Sequence, residues 1–366
     1  MDFALTPDQT MMQASVAGVL ERVCPLDRVR AFATTGEPNA ADVWSALIDL
    51  GVPGLMIDEM HGGLGLTLLD AALVAETIGA HVAPTPFLSS AVLAPMALAR
   101  AGSSGQQDHW LPKLASGEVT IGIAIHESLV GARDGAGVQA KAGCISGRSL
   151  FALDAAGADL LIIADGSGGL HLVDPAAPGL SVTPLTTVDR TRRVSELIFD
   201  DTPAEPLPGH CQSALAVMRD AAWVMLAADM LGVSGAMIAK AVAYARERRQ
   251  FGRVIGSFQA VKHMCAEMSA QLEPCRALVW YAAYAAAGAP EDAPLMAAQA
   301  KALLSDVSRF VARTATEVHG GMGFTDLLGL HYWFKRVGLD RQLFGGPERV
   351  RTMAAAMQGL ASPARQ

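Results

Sequence analysis

Between Glu247 and His263 the chain reads Glu247-Arg248-Arg249-Gln250-Phe251-Gly252-Arg253-Val254-Ile255-Gly256-Ser257-Phe258-Gln259-Ala260-Val261-Lys262-His263. Two adjacent arginines, an aromatic and glycines in one short stretch are suited to binding an anion. Guanidinium forks match a diphosphate bidentately. Gly252 and Gly256 let the backbone turn tightly and approach a ligand. Taken singly, the same residues have plainer readings. Arg248 and Arg249 answer the negative end of a helix dipole, Phe251 is a core residue, and Gln259 is a surface or capping residue. Taken together they describe a phosphate-binding helix corner.

That corner has to be positioned by helices. Apolar residues recur with helical period over Ser213–Arg249, Phe258–Ala287 and Pro294–His319. The stretch up to about residue 115 is also helical in pattern. It opens with Thr6-Pro7, a cap residue followed by proline at the first helical position, and continues through Asp42–Leu50, Leu68–Ile78 and Ser90–Ala101. Between these regions the period changes. Val119–Ile125, Leu160–Ala164, Leu170–Val173 and Val194–Phe199 are short apolar runs separated by Gly, Asp and Pro, the pattern of a small β-domain.

Composition narrows the class further. A 366-residue chain that is 51% hydrophobic and 17% charged has apolar surface for two or three domains. Its net charge of −8 argues against nucleic acid as a general partner. Five scattered cysteines without a metal-type spacing read as reduced thiols of a cytoplasmic protein. Met1-Asp2-Phe3-Ala4-Leu5-Thr6-Pro7 lacks the blocks of a signal peptide. The most membrane-like window, Ala221–Ala241, contains Asp229 and reads as a helix buried on nearly every face rather than a membrane span.

The arginine corner, with Glu317-Val318-His319-Gly320-Gly321-Met322-Gly323-Phe324 downstream, resembles the C-terminal signatures of the FAD-dependent acyl-CoA dehydrogenases. Trp110-Leu111-Pro112-Lys113-Leu114-Ala115-Ser116-Gly117-Glu118 and Asp189-Arg190-Thr191-Arg192-Arg193 are similar to segments of that family too. The resemblance implies an α+β acyl-CoA dehydrogenase fold. Its parts would be an N-terminal α-helical domain (1–116), a middle β-barrel (117–205) and a C-terminal four-helix bundle (206–366). It also implies that Arg248 contacts the pyrophosphate of an FAD held by a neighbouring subunit, and that Phe251 packs on the flavin or ribityl region. Gln259 would lie near the diphosphate, and Gly320 and Gly321 would let backbone approach the adenosine half. Glu317 stands where glutamine is usual; an acid there suits a ribose hydroxyl and would repel a phosphate.

Acyl-CoA dehydrogenation removes a weakly acidic α-proton while hydride leaves Cβ, so a carboxylate base has to sit within reach in a dry pocket. At the position the resemblance assigns to this glutamate stands Gly345, in Leu343-Phe344-Gly345-Gly346-Pro347-Glu348-Arg349-Val350. At the alternative position used by a minority of the family stands Ala222. Asp220, two residues away, points about 200° round the helix. Glu348 is a weaker substitute still. The flavin-facing turn has drifted to Ile125-His126-Glu127-Ser128-Leu129-Val130-Gly131-Ala132-Arg133, with His126 read as a structural residue at a strand end. Phe151-Ala152-Leu153 replaces a Trp-x-Thr, which leaves Phe151 able to pack on a ring and Leu153 unable to hydrogen-bond. Acyl-chain selection is expected from Trp223 and a loop around Met225–Met230.

The groups a subunit offers its neighbour's cofactor are thus present, and those it would use itself are missing. This pattern resembles the small, base-lacking subunit of the heteromeric α2β2 acyl-CoA dehydrogenases of bacterial steroid side-chain degradation, whose larger subunit supplies the glutamate. The implied partners are that larger subunit, an acyl-CoA substrate and an electron-transfer flavoprotein. Two rival readings stay open: a self-sufficient homomeric dehydrogenase using Asp220, Glu348 or His126 as base, and a non-catalytic scaffold or acyl-CoA-binding protein.

Overall fold

A computed structural model describes residues 4–131 and 135–360. Six helices form the N-terminal part: α1 (Pro7–Val23), α2 (Leu26–Thr34), α3 (Ala41–Ile48), α4 (Leu68–His81), α5 (Ala94–Ala101) and α6 (Ser104–Ala115). The Thr6 hydroxyl accepts from the Gln9 N–H and the Gln9 side chain accepts from the Thr6 N–H, a reciprocal cap with Pro7 at the first helical position. Ser90–Ala101, which reads as one α-helix, begins instead as a buried π-helical turn over Phe87–Leu93. Pro95 lacks the N–H that a regular ladder would need at that point.

Eight strands follow: β1 (Ile121–Ala124), β2 (Gly137–Lys141), β3 (Cys144–Leu153), β4 (Leu160–Ala164), β5 (Leu170–Val173), β6 (Leu180–Pro184), β7 (Val194–Pro203) and β8 (Glu205–Pro206). They form one mixed, half-barrel sheet in the order β6-β7-β3-β1-β4-β5-β8, with β2 paired to β3. Only β1 and β4 run parallel among the described pairs. A short helix, α7 (His126–Val130), follows β1 directly. The half-exposed strands β2 and β6 and the first part of β3 carry little continuous apolar sequence, so periodicity alone does not reveal them.

The C-terminal part contains α8 (Cys211–Glu247), a small hairpin of β9 (Arg249–Gln250) and β10 (Arg253–Val254), then α9 (Gln259–Gly288), α10 (Ala293–His319), α11 (Leu330–Asp340) and α12 (Pro347–Met357). α8 is the central element. Every residue from Ala221 to Ser234 is buried, so its apolar length serves the protein core. It crosses α4 at a glycine-on-glycine contact: a Cβ at Gly79 would run into the Asp229 carbonyl, and one at Gly232 into the Glu76 carbonyl. No side chain other than hydrogen fits there.

Asp229, inside that apolar window, is held by a bidentate pair from Arg336 (Nε–Oδ2 3.0 Å, Nη2–Oδ1 2.8 Å). Burial alone would raise its pKa. The Arg336 and Arg192 guanidiniums outweigh that and hold it well below the usual carboxylate range. The Asp189–Arg193 segment ties the parts together. Arg192 reaches Asp229 and Asp340 (3.4 and 3.3 Å), and Arg193 donates to the carbonyls of Phe32, Thr35 and Glu37 around the end of α2.

Candidate functional site

Tyr244 near the end of α8 stacks on His319 at the end of α10, with ring centroids 4.7 Å apart. The C-termini of both helices and the start of α9 therefore meet at one end of the bundle. That end gathers Arg248, Phe251, Gln259, Glu317, Gly320 and Gly321. Phe251 sits at the hairpin tip with φ +51° and is 90% exposed, its ring edge-on to Phe258 at 6.1 Å. Arg253 covers the Phe258 ring at 4.0 Å. Among the described residues, the side chains of Arg248, Arg249 and Gln259 have no hydrogen-bond or ion-pair partner.

Gly320 has φ +59°, and both Gly320 and Gly321 have open space where a Cβ would sit. Glu317 faces Arg313 at 3.8 Å on the exposed side of α10. One glycine differs from its sequence reading. Gly256 makes its close approach to the protein's own Ala245 carbonyl, 2.8 Å from where a Cβ would sit, so it packs the hairpin on α8. Gly252, with φ +76°, is the tight-turn glycine.

A second region surrounds Gly345. This residue is buried with φ +116°, and its missing Cβ would lie 3.5 Å from Val350 Cγ2 and 3.6 Å from Val130 Cγ1. Phe344, itself at φ +55°, is fully buried, and its carbonyl accepts from the Trp223 indole N–H at 2.8 Å. Ala222 is likewise fully buried. Met225–Met230 is no loop but the buried middle of α8, because the apolar run continues the helix without a break.

α7 lies against this region and differs from the strand-to-turn reading of its sequence. His126 is the first residue of α7, 5.4 Å from the Phe151 ring and 6.1 Å from Phe344. The Glu127 carboxylate accepts from the Ser149 hydroxyl (2.7 Å) and the Leu150 N–H (2.6 Å) where β3 bulges. Burial raises the Glu127 pKa, and these two donors oppose the rise. Val130 then reaches Gly345, and Arg349 donates to the Leu129 carbonyl at 3.5 Å. Phe151 stays partly exposed, and Leu153 is core, opposite Ile123. Ala132 and Arg133, the end of the expected turn, lie outside the described residues, as do Met1–Phe3.

The candidate bases are placed differently from one another. Asp220 is gripped by its neighbour Arg219 (Nε–Oδ1 2.8 Å, Nη2–Oδ1 2.7 Å), whose guanidinium lies 4.9 Å from the Trp223 ring. Burial pushes the Asp220 pKa up while Arg219 draws it down. Glu348 is exposed in the first turn of α12. Sequence reasoning missed Val130 and Phe344, for which no local signal exists, since both matter only through contacts with distant segments.

The fold is a set of helices flanking a mixed half-barrel sheet, with an arginine-phenylalanine hairpin and a Gly-Gly helix end at the same end of the bundle. The acyl-CoA dehydrogenase N-terminal domain matches residues 6–118 and the acyl-CoA dehydrogenase C-terminal domain matches residues 212–360. The chain belongs to the acyl-CoA dehydrogenase family, whose members are FAD-dependent. It is 29% identical over 350 residues to the acyl-CoA dehydrogenase IpdE2 of Mycobacterium tuberculosis, covering 94% of this chain and 96% of that one. Among solved structures, the ChsE4-ChsE5 complex from Mycobacterium tuberculosis superposes with a TM-score of 0.90 at 26% identity, covering 98% of this chain and 99% of that one. A variant of the Tcur3481-Tcur3483 steroid ACAD gives 0.87 at 29% identity, covering 96% and 98%.

Proposed function

We propose that this chain is the base-lacking subunit of an FAD-dependent acyl-CoA dehydrogenase and works with a larger, glutamate-bearing partner in an α2β2 assembly. The observation that carries the reading is Gly345. The position assigned to the base holds no proton acceptor, and a Cβ added there would lie in van der Waals contact with Val130 and Val350. Trp223 and Phe344 fill the adjoining space and spend their polar groups on each other.

The residues present fit FAD at one end of the bundle. Arg248 has unspent donors for a diphosphate, Phe251 offers an exposed ring, and Gly320 and Gly321 leave room for backbone to approach an adenosine. Gln259, unpartnered at the start of α9, adds a donor near the diphosphate, and Glu317 suits a ribose hydroxyl. The face around Gly345 does not fit substrate chemistry. FAD, when bound, supplies the hydride acceptor for Cβ. In the proposed assembly this chain orients the cofactor and excludes water, while the partner's carboxylate removes the α-proton.

The substrate is a CoA thioester with a steroid-derived side chain, a reading supported by the likeness to the Tcur3481-Tcur3483 steroid ACAD. An electron-transfer flavoprotein is the proposed acceptor. The test is the flavin-to-protein ratio of this chain purified alone and co-expressed with a candidate large subunit. The expected result is little flavin alone and about one FAD per heterodimer. Full occupancy with acyl-CoA turnover by the chain alone would overturn the proposal and return Asp220, Glu348 and His126 to consideration.

A further inference from the structure

Where the three parts of the chain meet there is a small cavity of about 10 Å³, lined by buried residues. Its polar lining is Thr85 from the N-terminal helical part, Arg192 from the segment before β7, Asp229 from α8 and Arg336 from α11. All four side chains are nine-tenths or more buried. Arg336 is satisfied: it forks onto Asp229 and also donates to the Thr191 hydroxyl at 3.0 Å. Two atoms are not satisfied. Among the described residues, the Thr85 hydroxyl and the Arg192 Nε–H are buried with no hydrogen-bond partner. Leaving such a group bare costs about 1–3 kcal/mol, more when it is charged.

We infer that this cavity is a binding site for a single water molecule, which joins Thr85, Arg192 and Asp229 and so links the helical, β-sheet and bundle parts. The size decides the ligand. A cavity of roughly 10–15 Å³ holds a single water, and a buried water needs two to four polar partners. The inventory balances: the Arg192 Nε–H and the Thr85 O–H donate to the water, and the water donates to the Asp229 carboxylate. Asp229 has lone pairs left after accepting from Arg336. The other charged groups near the junction include Asp154, Asp189, Asp340 and Lys301. Asp154 accepts from the Ser89 hydroxyl, Asp189 caps Thr191, Asp340 meets Arg192, and Lys301 donates to the Asp340 carbonyl. None of these four lines the cavity.

The test is a high-resolution crystal structure of the full chain, with Thr85→Val and Thr85→Ser compared for density and for amide exchange at residues 191–193. Expected is one ordered water within hydrogen-bond distance of both Thr85 and Arg192, kept in Thr85→Ser. In Thr85→Val the water loses a partner, and exchange at 191–193 rises roughly tenfold. An empty cavity, density that refines as an ion, or Thr85 bonded directly to Arg192 would overturn the inference. So would unchanged exchange in Thr85→Val. Should that variant fail to fold, the wild-type and Thr85→Ser densities decide the matter.

Discussion

At the hairpin end of the bundle Phe251 is 90% exposed and Arg248 and Arg249 hold no partner among the described residues, whereas around Gly345 the Trp223 indole bonds the Phe344 carbonyl and Val130 lies against the Gly345 backbone. Both regions take side chains from the same long helix, α8: Tyr244 at one, Trp223 at the other. One leaves an apolar ring and cationic forks unused, which the isolated chain gains nothing by displaying. The other spends its polar groups internally and offers no proton acceptor at residues 345 and 222. Exposed unspent groups point to a surface completed by another molecule, and a satisfied buried face points to structure.

The largest effect should come from breaking the closed region. Trp223→Ala removes a buried aromatic and is expected to destabilise the chain by about 3–5 kcal/mol in denaturant unfolding. Trp223→Phe keeps most of the bulk, strands the Phe344 carbonyl and should cost about 1–3 kcal/mol. A Trp223→Ala variant of wild-type stability would mean that the region is open in solution.

Gly345→Glu asks whether the closed region is a lost active site that one residue could restore. A side chain at φ +116° is strained by about 1–3 kcal/mol and meets Val130 and Val350. The expected outcome is lower stability and no acyl-CoA turnover by the isolated chain. Turnover in that variant would erase the distinction between the two regions.

At the open end, Arg248→Ala in the co-expressed pair should weaken flavin retention by about 1.5–3 kcal/mol, roughly tenfold to a hundredfold. Unchanged flavin occupancy and turnover would remove Arg248 from the proposed cofactor edge. The smallest effect sharpens the contrast. Phe251→Ala should leave the stability of the isolated chain within about 0.5 kcal/mol, because little of that ring is buried. The same variant should lower flavin retention in the pair.

Legibility followed the range of the interactions involved. The long helices α8, α9 and α10 were readable to within a few residues because their 3.6-residue period repeats over many turns. The Arg248–Phe251 hairpin was readable because its chemistry lies in adjacent residues. α7 was not: its few residues read as the end of a strand, and it is held as a helix by the Glu127 cap on β3 and by packing against Phe344. α11 and α12 have short apolar faces whose partners come from elsewhere in the chain.

By itself, then, the sequence determined the α-β-α order, the glycine-arginine corner and the absence of a carboxylate at residues 345 and 222. These are statements about residue identity and local period. Only the tertiary structure decided that Gly345 lies against Val130 and Val350, beside the Trp223–Phe344 hydrogen bond. It alone brought Asp229 to Arg336 and set Thr85 and Arg192 around one small cavity. Those contacts join segments roughly a hundred residues apart, where the cost of closing the chain is met only once the whole core forms.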